Sequence, residues 1–294
     1  MPIEQMALIN KGFARMLVQS ILLTVLVLAL PALGGTQEVQ APASAPAKEA
    51  PQTPEPAAPP GRPEPAPAPI MEPRALDLLK RMSATLGAAK ALTYRSRSTV
   101  EVPAKTGQLI TLFATSDVAL ERPNKLRVHV TGEVPNFEFY YNGTNIAAFA
   151  PKNHVYSVAS APDTIDAMLK FVMDKSGIHF ASADVMYSDP YTMLTKDLTS
   201  AFVVGPAAVD GLPCEHLAFM GPRVNWEIWI DTGKSALPRR LVVTYTDVQN
   251  FPRFLVEFAD WNLQPKLAAS HFVFKKPSNA KQIEFSSPTE QKAQ

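Results

Sequence analysis

The side chains of this sequence that could do chemistry are few and scattered. Cys214, Glu215 and His216 stand side by side, and a thiol next to an imidazole and a carboxylate is the material of a cysteine nucleophile. On a β-strand, however, successive side chains point to opposite faces. Cys214 and His216 then share one face and Glu215 points away, so the trio cannot form a relay by itself. A small buried cysteine beside a turn is the expected outcome. The histidines, His129, His154, His179, His216 and His271, contain no pair spaced to set two imidazoles on one helical face. The single cysteine excludes an internal disulfide and a thiolate-rich metal site. No metal or cofactor is expected.

Other reaction classes have equally little to start from. No G-x-S-x-G elbow, G-x-G-x-x-G turn or P-loop occurs. The carboxylates Asp163, Asp166, Asp174, Asp184 and Asp189 gather where helices are expected, and helix capping and dipole complementarity explain most of them. Outside the first 34 residues the chain is formally neutral, which gives no general attraction to nucleic acid or anionic lipid. A nucleic-acid partner and an enzyme activity are therefore not expected.

The apolar side chains are more informative. Trp226, Ile228 and Ile230 alternate with Asn225, Glu227, Trp229 and Asp231, and an unpaired Trp229 indole on the second face would be partly exposed. Phe254, Val256 and Phe258 share a face, and by the same alternation Leu255 and Trp261 share the other. The candidate apolar ligand-lining residues are Phe139, Tyr141, Trp226, Ile228, Phe254, Val256 and Phe258. The alternative is that they form an ordinary core, with a few aromatics left on the surface.

The elements that must position these residues follow from periodicity. Residues 71–91 carry Leu76, Leu79, Met82 and Leu86 at helical spacing, with Pro73 in the first turn and Gly87 near the end. Alternation then begins with Val100 and Val102, passes a Lys105-Thr106-Gly107 turn, and continues through residues 109–120. Leu126, Val128 and Val130 alternate with charged neighbours. Phe137, Phe139 and Tyr141 lead into Asn142-Gly143, a two-residue hairpin signal, and residues 146–149 return. After a strand around Tyr156 and Val158, a helix starts near Asp163 with Ile165, Met168, Leu169 and Val172 as its stripe. A second short helix follows Asp189-Pro190. Strands resume at Phe202, and the segments from Cys214 to Phe285 read as an antiparallel sheet with short turns. The order is helix, about six strands, two helices, about six strands. That is an α+β fold with helices packed on one face of a curved antiparallel sheet.

Flanking segments place this domain outside the cytoplasm. Residues 1–34 read as a secretory signal with Lys11 and Arg15, an apolar run and the small residues Ala32 and Gly34. The rival is an uncleaved membrane anchor, but the apolar run of about 15 residues is shorter than the roughly 20 a span requires. Prolines then crowd residues 42–73 among alanine and glutamate. The stretch 35–72 cannot bury a core and reads as a linker able to reach about 100 Å. The folded domain is expected over 73–286 and a tail over 287–294.

The blocks Leu212-Pro213-Cys214-Glu215-His216-Leu217, Trp226-Glu227-Ile228-Trp229-Ile230-Asp231, Leu237-Pro238-Arg239-Arg240, Trp261-Asn262-Leu263 and Phe272-Val273-Phe274-Lys275-Lys276-Pro277 resemble an uncharacterised family of predicted bacterial periplasmic proteins. That family in turn looks like the outer-membrane lipoprotein carriers LolA and LolB, over residues 72–285 of this chain. The resemblance implies an incomplete antiparallel β-barrel wrapped around a few helices, an apolar cavity between them, and no enzyme activity. The chain departs from LolB in lacking a cysteine after its leader, and from LolA in carrying the spacer. Two functions are compatible with this pattern. One is a periplasmic carrier of a lipid or acylated ligand. The other is a tethered cell-envelope domain that binds a protein partner and no ligand. Contact with a membrane is expected only through an uncleaved leader.

Overall fold

The computed structural model describes residues 69–134, 136–176 and 182–285. The leader, the tail and all but the end of the spacer lie outside the described residues. In chain order come helix α1 (Pro73–Ala88), strands β1 (Ala91–Pro103), β2 (Leu109–Glu121), β3 (Lys125–Gly132), β4 (Phe137–Tyr141), β5 (Asn145–Ala150) and β6 (Val155–Ser160), then helices α2 (Ile165–Ser176) and α3 (Pro190–Thr195). Strands β7 (Ser200–Val209), β8 (Leu212–Met220), β9 (Val224–Asp231), β10 (Pro238–Tyr245), β11 (Arg253–Asn262) and β12 (Lys281–Gln282) complete the series. The predicted order of helix, six strands, two helices, six strands is the observed one.

Among the described residues these strands form one sheet, ordered β12-β6-β5-β4-β3-β2-β1-β11-β10-β9-β8-β7. Two meanders are joined by antiparallel pairing of β1 with β11, and all neighbours are antiparallel except β12 on β6. The edges β7 and β12 are not paired with each other among the described residues, so the barrel is incomplete. An exposed edge invites pairing with another chain. Here residues 70–72 cover the start of β7: Met71 bridges Ala201 in parallel, and Glu72 N–H donates to Ala201 O at 2.7 Å. The Glu72 carboxylate also accepts from Val203 N–H at 2.9 Å.

The helices are placed on one face by their apolar stripes. In α1, Ala75, Leu79, Met82 and Leu86 are fully buried, and the helix packs on α3 and over β7 and β9. Thr164 accepts the Ala167 N–H at the start of α2, and Asp189 accepts the Thr192 N–H at the start of α3, each filling an orphan helix donor. The Arg122 guanidinium, after β2, donates to Leu86 O in the last turn of α1 at 3.4 Å, to Met186 O at 3.0 Å and to Tyr187 O at 2.9 Å. Asp166 of α2 holds the same segment by accepting from Ser188 N–H at 3.0 Å and Ser188 Oγ at 2.5 Å.

Local details differ from the expectations. Strand β1 starts at Ala91, well before Val100, because its inward positions Ser96 and Ser98 carry small polar side chains that hide the alternation. The β4–β5 hairpin turns one residue later than Asn142-Gly143. Tyr141 pairs Ile146, Asn142 N–H donates to Asn145 O, and Gly143 (φ +99°) with Thr144 forms the tip. Asn142 Oδ1 instead accepts from Thr144 N–H and Asn145 N–H at 3.1 and 3.0 Å, a capping role that competes with the tip position. The antiparallel run ends at Asn262 rather than near Phe285. The following segment crosses the outer face of β3–β6, where Phe274 packs on Tyr140, Phe149 and Tyr156. Its aromatics are apolar enough to read as strand, yet they cover the sheet instead of extending it.

Candidate functional site

The cross-strand register assembles the seven candidate residues in rows on the helix-bearing face. Phe139 lies opposite Val128 and Ala148, and Val128 opposite Val118, which faces Tyr94 on β1. Tyr141 heads the next row, opposite Leu126 and Ile146. On the other meander Trp226 faces Val243, which faces Phe254, and Ile228 faces Leu241, which faces Val256. Phe258 sits opposite Ser96, its ring edge on Tyr94 with centroids 5.6 Å apart. The two halves of the sheet therefore meet at Tyr94. All seven are at most 6% exposed and belong to one continuous hydrophobic cluster with the buried faces of α1, α2 and α3. Removing each such side chain from water contributes about 1.5–3 kcal/mol.

Polar atoms within this face are sparse and mostly paired. Tyr141 Oη donates to Pro162 O at 2.5 Å, tying β4 to the approach to α2. Burial, then the nearby Asp163 carboxylate, push that phenol up to about 12. Tyr94 Oη and Ser182 Oγ are 3.3 Å apart, and burial raises the Tyr94 phenol well above its ordinary value. Burial likewise pushes the half-buried Asp184 carboxyl up to about 6. Its charge raises the neighbouring Tyr187 and Tyr245 phenols beyond the larger effect of their own burial.

The trio Cys214, Glu215 and His216 divides as strand geometry requires. Glu215 faces Ile230 on the helix side and binds Arg74 of α1 at 2.7 Å. Cys214 is buried on the second face, donates weakly to Leu212 O at 3.4 Å, and is raised in pKa chiefly by desolvation, which disfavours the thiolate. His216 Nε2 lies 2.9 Å from Glu227 Oε2, and its ring stacks on Trp229 with centroids 3.9 Å apart. Trp229 is half-buried between His216 and the Arg240 guanidinium, which sits 5.3 Å from its ring centre, so the indole face is not unpaired. Among the described residues no group of three or more histidine, cysteine and carboxylate side chains could hold a metal ion. No helix among the described residues is long and apolar enough to cross a membrane.

Trp261 corrects the alternation. Arg95 faces Ala259 but Thr93 faces Asn262, so a bulge adds a residue to β11, and Asp260 takes φ +54°. One inserted residue reverses the face of everything after it. Trp261 therefore lies with Phe258 rather than with Leu255, packed on Tyr94, and its Nε1 donates to Pro238 O at 3.0 Å. Tyr94, Phe219 and Tyr245 also line this face and were not singled out from sequence. The pairing Trp226–Phe219, stacked at 4.0 Å, was detectable only once β8 and β9 were in register.

Residues 75–286 match the model of a family described as "Predicted periplasmic protein (DUF2092)". No curated protein matches the sequence. Solved structures to which the chain is similar include the Mycobacterium tuberculosis lipoprotein LppX, at 12% identity over 67% of this chain and 100% of that one, with a TM-score of 0.42. Another is an outer membrane lipoprotein-sorting protein domain from Vibrio parahaemolyticus, at 10% identity over 68% and 96% of the two chains, TM-score 0.32. A LolA superfamily protein from Nitrosomonas europaea matches at 10% identity over 68% and 97%, TM-score 0.30.

Proposed function

The chain belongs to the DUF2092 family of predicted periplasmic proteins, and we propose that this member is a non-enzymatic periplasmic carrier which holds a lipid or acyl chain between its sheet and its helices. The observation that carries this reading is the continuity of the apolar face. Phe139, Tyr141, Trp226, Ile228, Phe254, Val256 and Phe258 reach across both meanders, and the sheet does not close on itself to seal them among the described residues. They are covered instead by short separate helices, of which α2 has 12 residues and α3 has 6. Elements of that length are marginal alone and are held by the face they cover. An acyl chain offers the same apolar contacts and can replace them at little cost in burial.

Native mass spectrometry and lipid extraction of the protein purified from the periplasm test the reading. Co-purification of a stoichiometric lipid supports it, and its absence together with no uptake of a fluorescent fatty acid counts against it.

A second reading, a tethered envelope domain with a protein partner, draws support from the packed interior. The seven residues already have protein neighbours and are at most 6% exposed. Its surface would be the second face, where His216, Trp229, Arg240 and Glu257 form a ladder across β8–β11. Retention of a periplasmic partner by the wild type and its loss on Trp229→Ala, with the fold kept and no lipid bound, would favour this reading.

A further inference from the structure

The C-terminal segment that crosses the outer face of β3–β6 concentrates positive charge that the rest of the molecule balances. The whole chain has 28 lysines and arginines against 27 aspartates and glutamates, yet residues 151–160 and 264–285 hold Lys152, Lys266, Lys275, Lys276 and Lys281 against Glu284 as their one carboxylate. The fold brings these two stretches together. Lys281 pairs with Val155 at the start of β6, and its N–H donates at 2.9 Å to the carbonyl of His154, close in sequence to Lys152. Lys276 Nζ lies 5.7 Å from the centre of the Tyr156 ring, and Phe274 packs on the same ring. Val273 and Lys275, which flank Phe274, are exposed, as are Lys152, Lys276, Lys281 and Ile283. None of these four exposed lysines forms an ion pair among the described residues, and Glu138, on the sheet beneath, is taken up by Tyr140 Oη. On the second meander, by contrast, Arg239, Arg240 and Arg253 are matched with Asp231, Glu257 and Glu227.

Exposed lysines without ion partners, set among aliphatic side chains, fit an anionic bilayer, where ammonium groups meet lipid phosphates and short apolar groups enter the headgroup region. A protein partner fits this strip less well, because lysine is depleted, and aromatic residues and arginine are enriched, where proteins meet. We propose that the strip is a docking surface for an anionic phospholipid bilayer, with Lys152, Lys275, Lys276 and Lys281 at the phosphates and Val273 and Ile283 among the headgroups. Phe274, packed on Tyr140, Phe149 and Tyr156, and the pairing of β12 with β6 hold the segment on the sheet, so no loop has to be ordered on arrival. Because the chain as a whole is nearly neutral, the attraction is confined to this face and turns the first meander toward the lipid. This membrane contact is separate from the leader and does not depend on whether the interior takes a ligand.

The test titrates the full chain with vesicles of phosphatidylcholine alone, or of equal parts phosphatidylcholine and phosphatidylglycerol, and reads the accessibility of each lysine by acetylation and mass spectrometry. This readout reports on the strip itself, also where the leader holds the chain on both kinds of vesicle. The expected result is that anionic vesicles half-protect Lys275, Lys276 and Lys281 at a lipid concentration about tenfold or more below that of neutral ones, since each lysine near an anionic surface contributes about fivefold. Lys234, exposed in the β9–β10 turn, stays equally reactive on both, and high salt removes the difference. Lys152→Gln/Lys281→Gln, which removes no ion pair or ring contact among the described residues, should raise the concentration that protects Lys275 and Lys276 severalfold. Equal protection by both vesicle types, protection of Lys234 as strong as that of the strip, or no protection overturns the proposal. Protection by soluble poly-glutamate with none by vesicles assigns the strip to an acidic protein and overturns it as well.

Discussion

Trp261 packs on Tyr94 with ring centroids 4.5 Å apart, on the helix-bearing side of the sheet, at the point where the two meanders join. The bulge at Asp260 puts it there, and the bond from Nε1 to Pro238 O fixes its orientation. The contact couples β1, β10 and β11 at one spot. Trp261→Ala is expected to destabilise the domain by about 3 kcal/mol, because it removes a large ring packed on the core. Trp261→Phe, which keeps most of the packing, should cost about 1 kcal/mol for the lost hydrogen bond. Urea denaturation of the two variants separates these values, and equal losses would contradict the assignment of separate packing and hydrogen-bond roles.

Arg122 is the main polar link between the first meander and the helices. Its guanidinium satisfies carbonyls of Leu86, Met186 and Tyr187 at once. Arg122→Met keeps much of the apolar stem but leaves those partly buried acceptors without their donor. The expected loss is about 2–4 kcal/mol, with faster amide exchange in the last turn of α1. A loss below about 0.5 kcal/mol, the usual size of a surface change, would show that water replaces the link.

Gly87 sets a helix propensity gain against a close contact. In an unconstrained helix interior Gly→Ala stabilises by about 1 kcal/mol. Here a Cβ would stand 2.7 Å from Ser188 O, and the Ser188 backbone and hydroxyl are both held by Asp166. The neighbour cannot yield without breaking those bonds, so Gly87→Ala should destabilise by about 1–2 kcal/mol, within the range of overpacking changes. Paired with Asp166→Ala the penalty should shrink, which a double-mutant cycle by chemical denaturation reads directly.

Asp184 makes stability fall as pH rises through its folded value. Its carboxyl is pushed up to about 6 by burial, against about 3.9 in an unfolded chain. The folded state therefore holds the proton more tightly. Its contribution is fully present below pH 4 and is lost between about pH 4 and pH 6, by up to about 3 kcal/mol. Asp184→Asn should be more stable than wild type at pH 7 and equal to it near pH 3.5. Parallel stability curves across that range would contradict the assignment.

Periodicity was enough to read the element order and the inward stripe. Leu79, Met82 and Leu86 predicted α1, and the alternating residues of β4 and β9, with Phe254, Val256 and Phe258 of β11, reach the face assigned to them, whereas Trp261 does not. What stayed hidden depends on contacts between distant segments. The bulge that turns Trp261 inward depends on pairing with β1, and Asp260 gives no local sign of it. Ser96 is buried because Phe258 lies opposite, so the strand around it reads as polar. The Arg122 link and the Met71–Ala201 bridge join residues far apart in sequence, and neither has a spacing to detect. The position of the seven candidate residues on one buried face was legible, while the approach of the α3–β7 connection to the β8–β9 turn was not, since it joins segments far apart in sequence.

The most direct test of the proposed carrier function is a titration of delipidated protein with a long-chain fatty acid, followed by hydrogen–deuterium exchange on the free and loaded forms. The expected result is saturable binding near one ligand per chain, with exchange altered in α1, α2 and α3 and in the strands that bear Phe139, Trp226 and Phe254. Absence of saturable binding, with exchange unchanged at those elements, would contradict it.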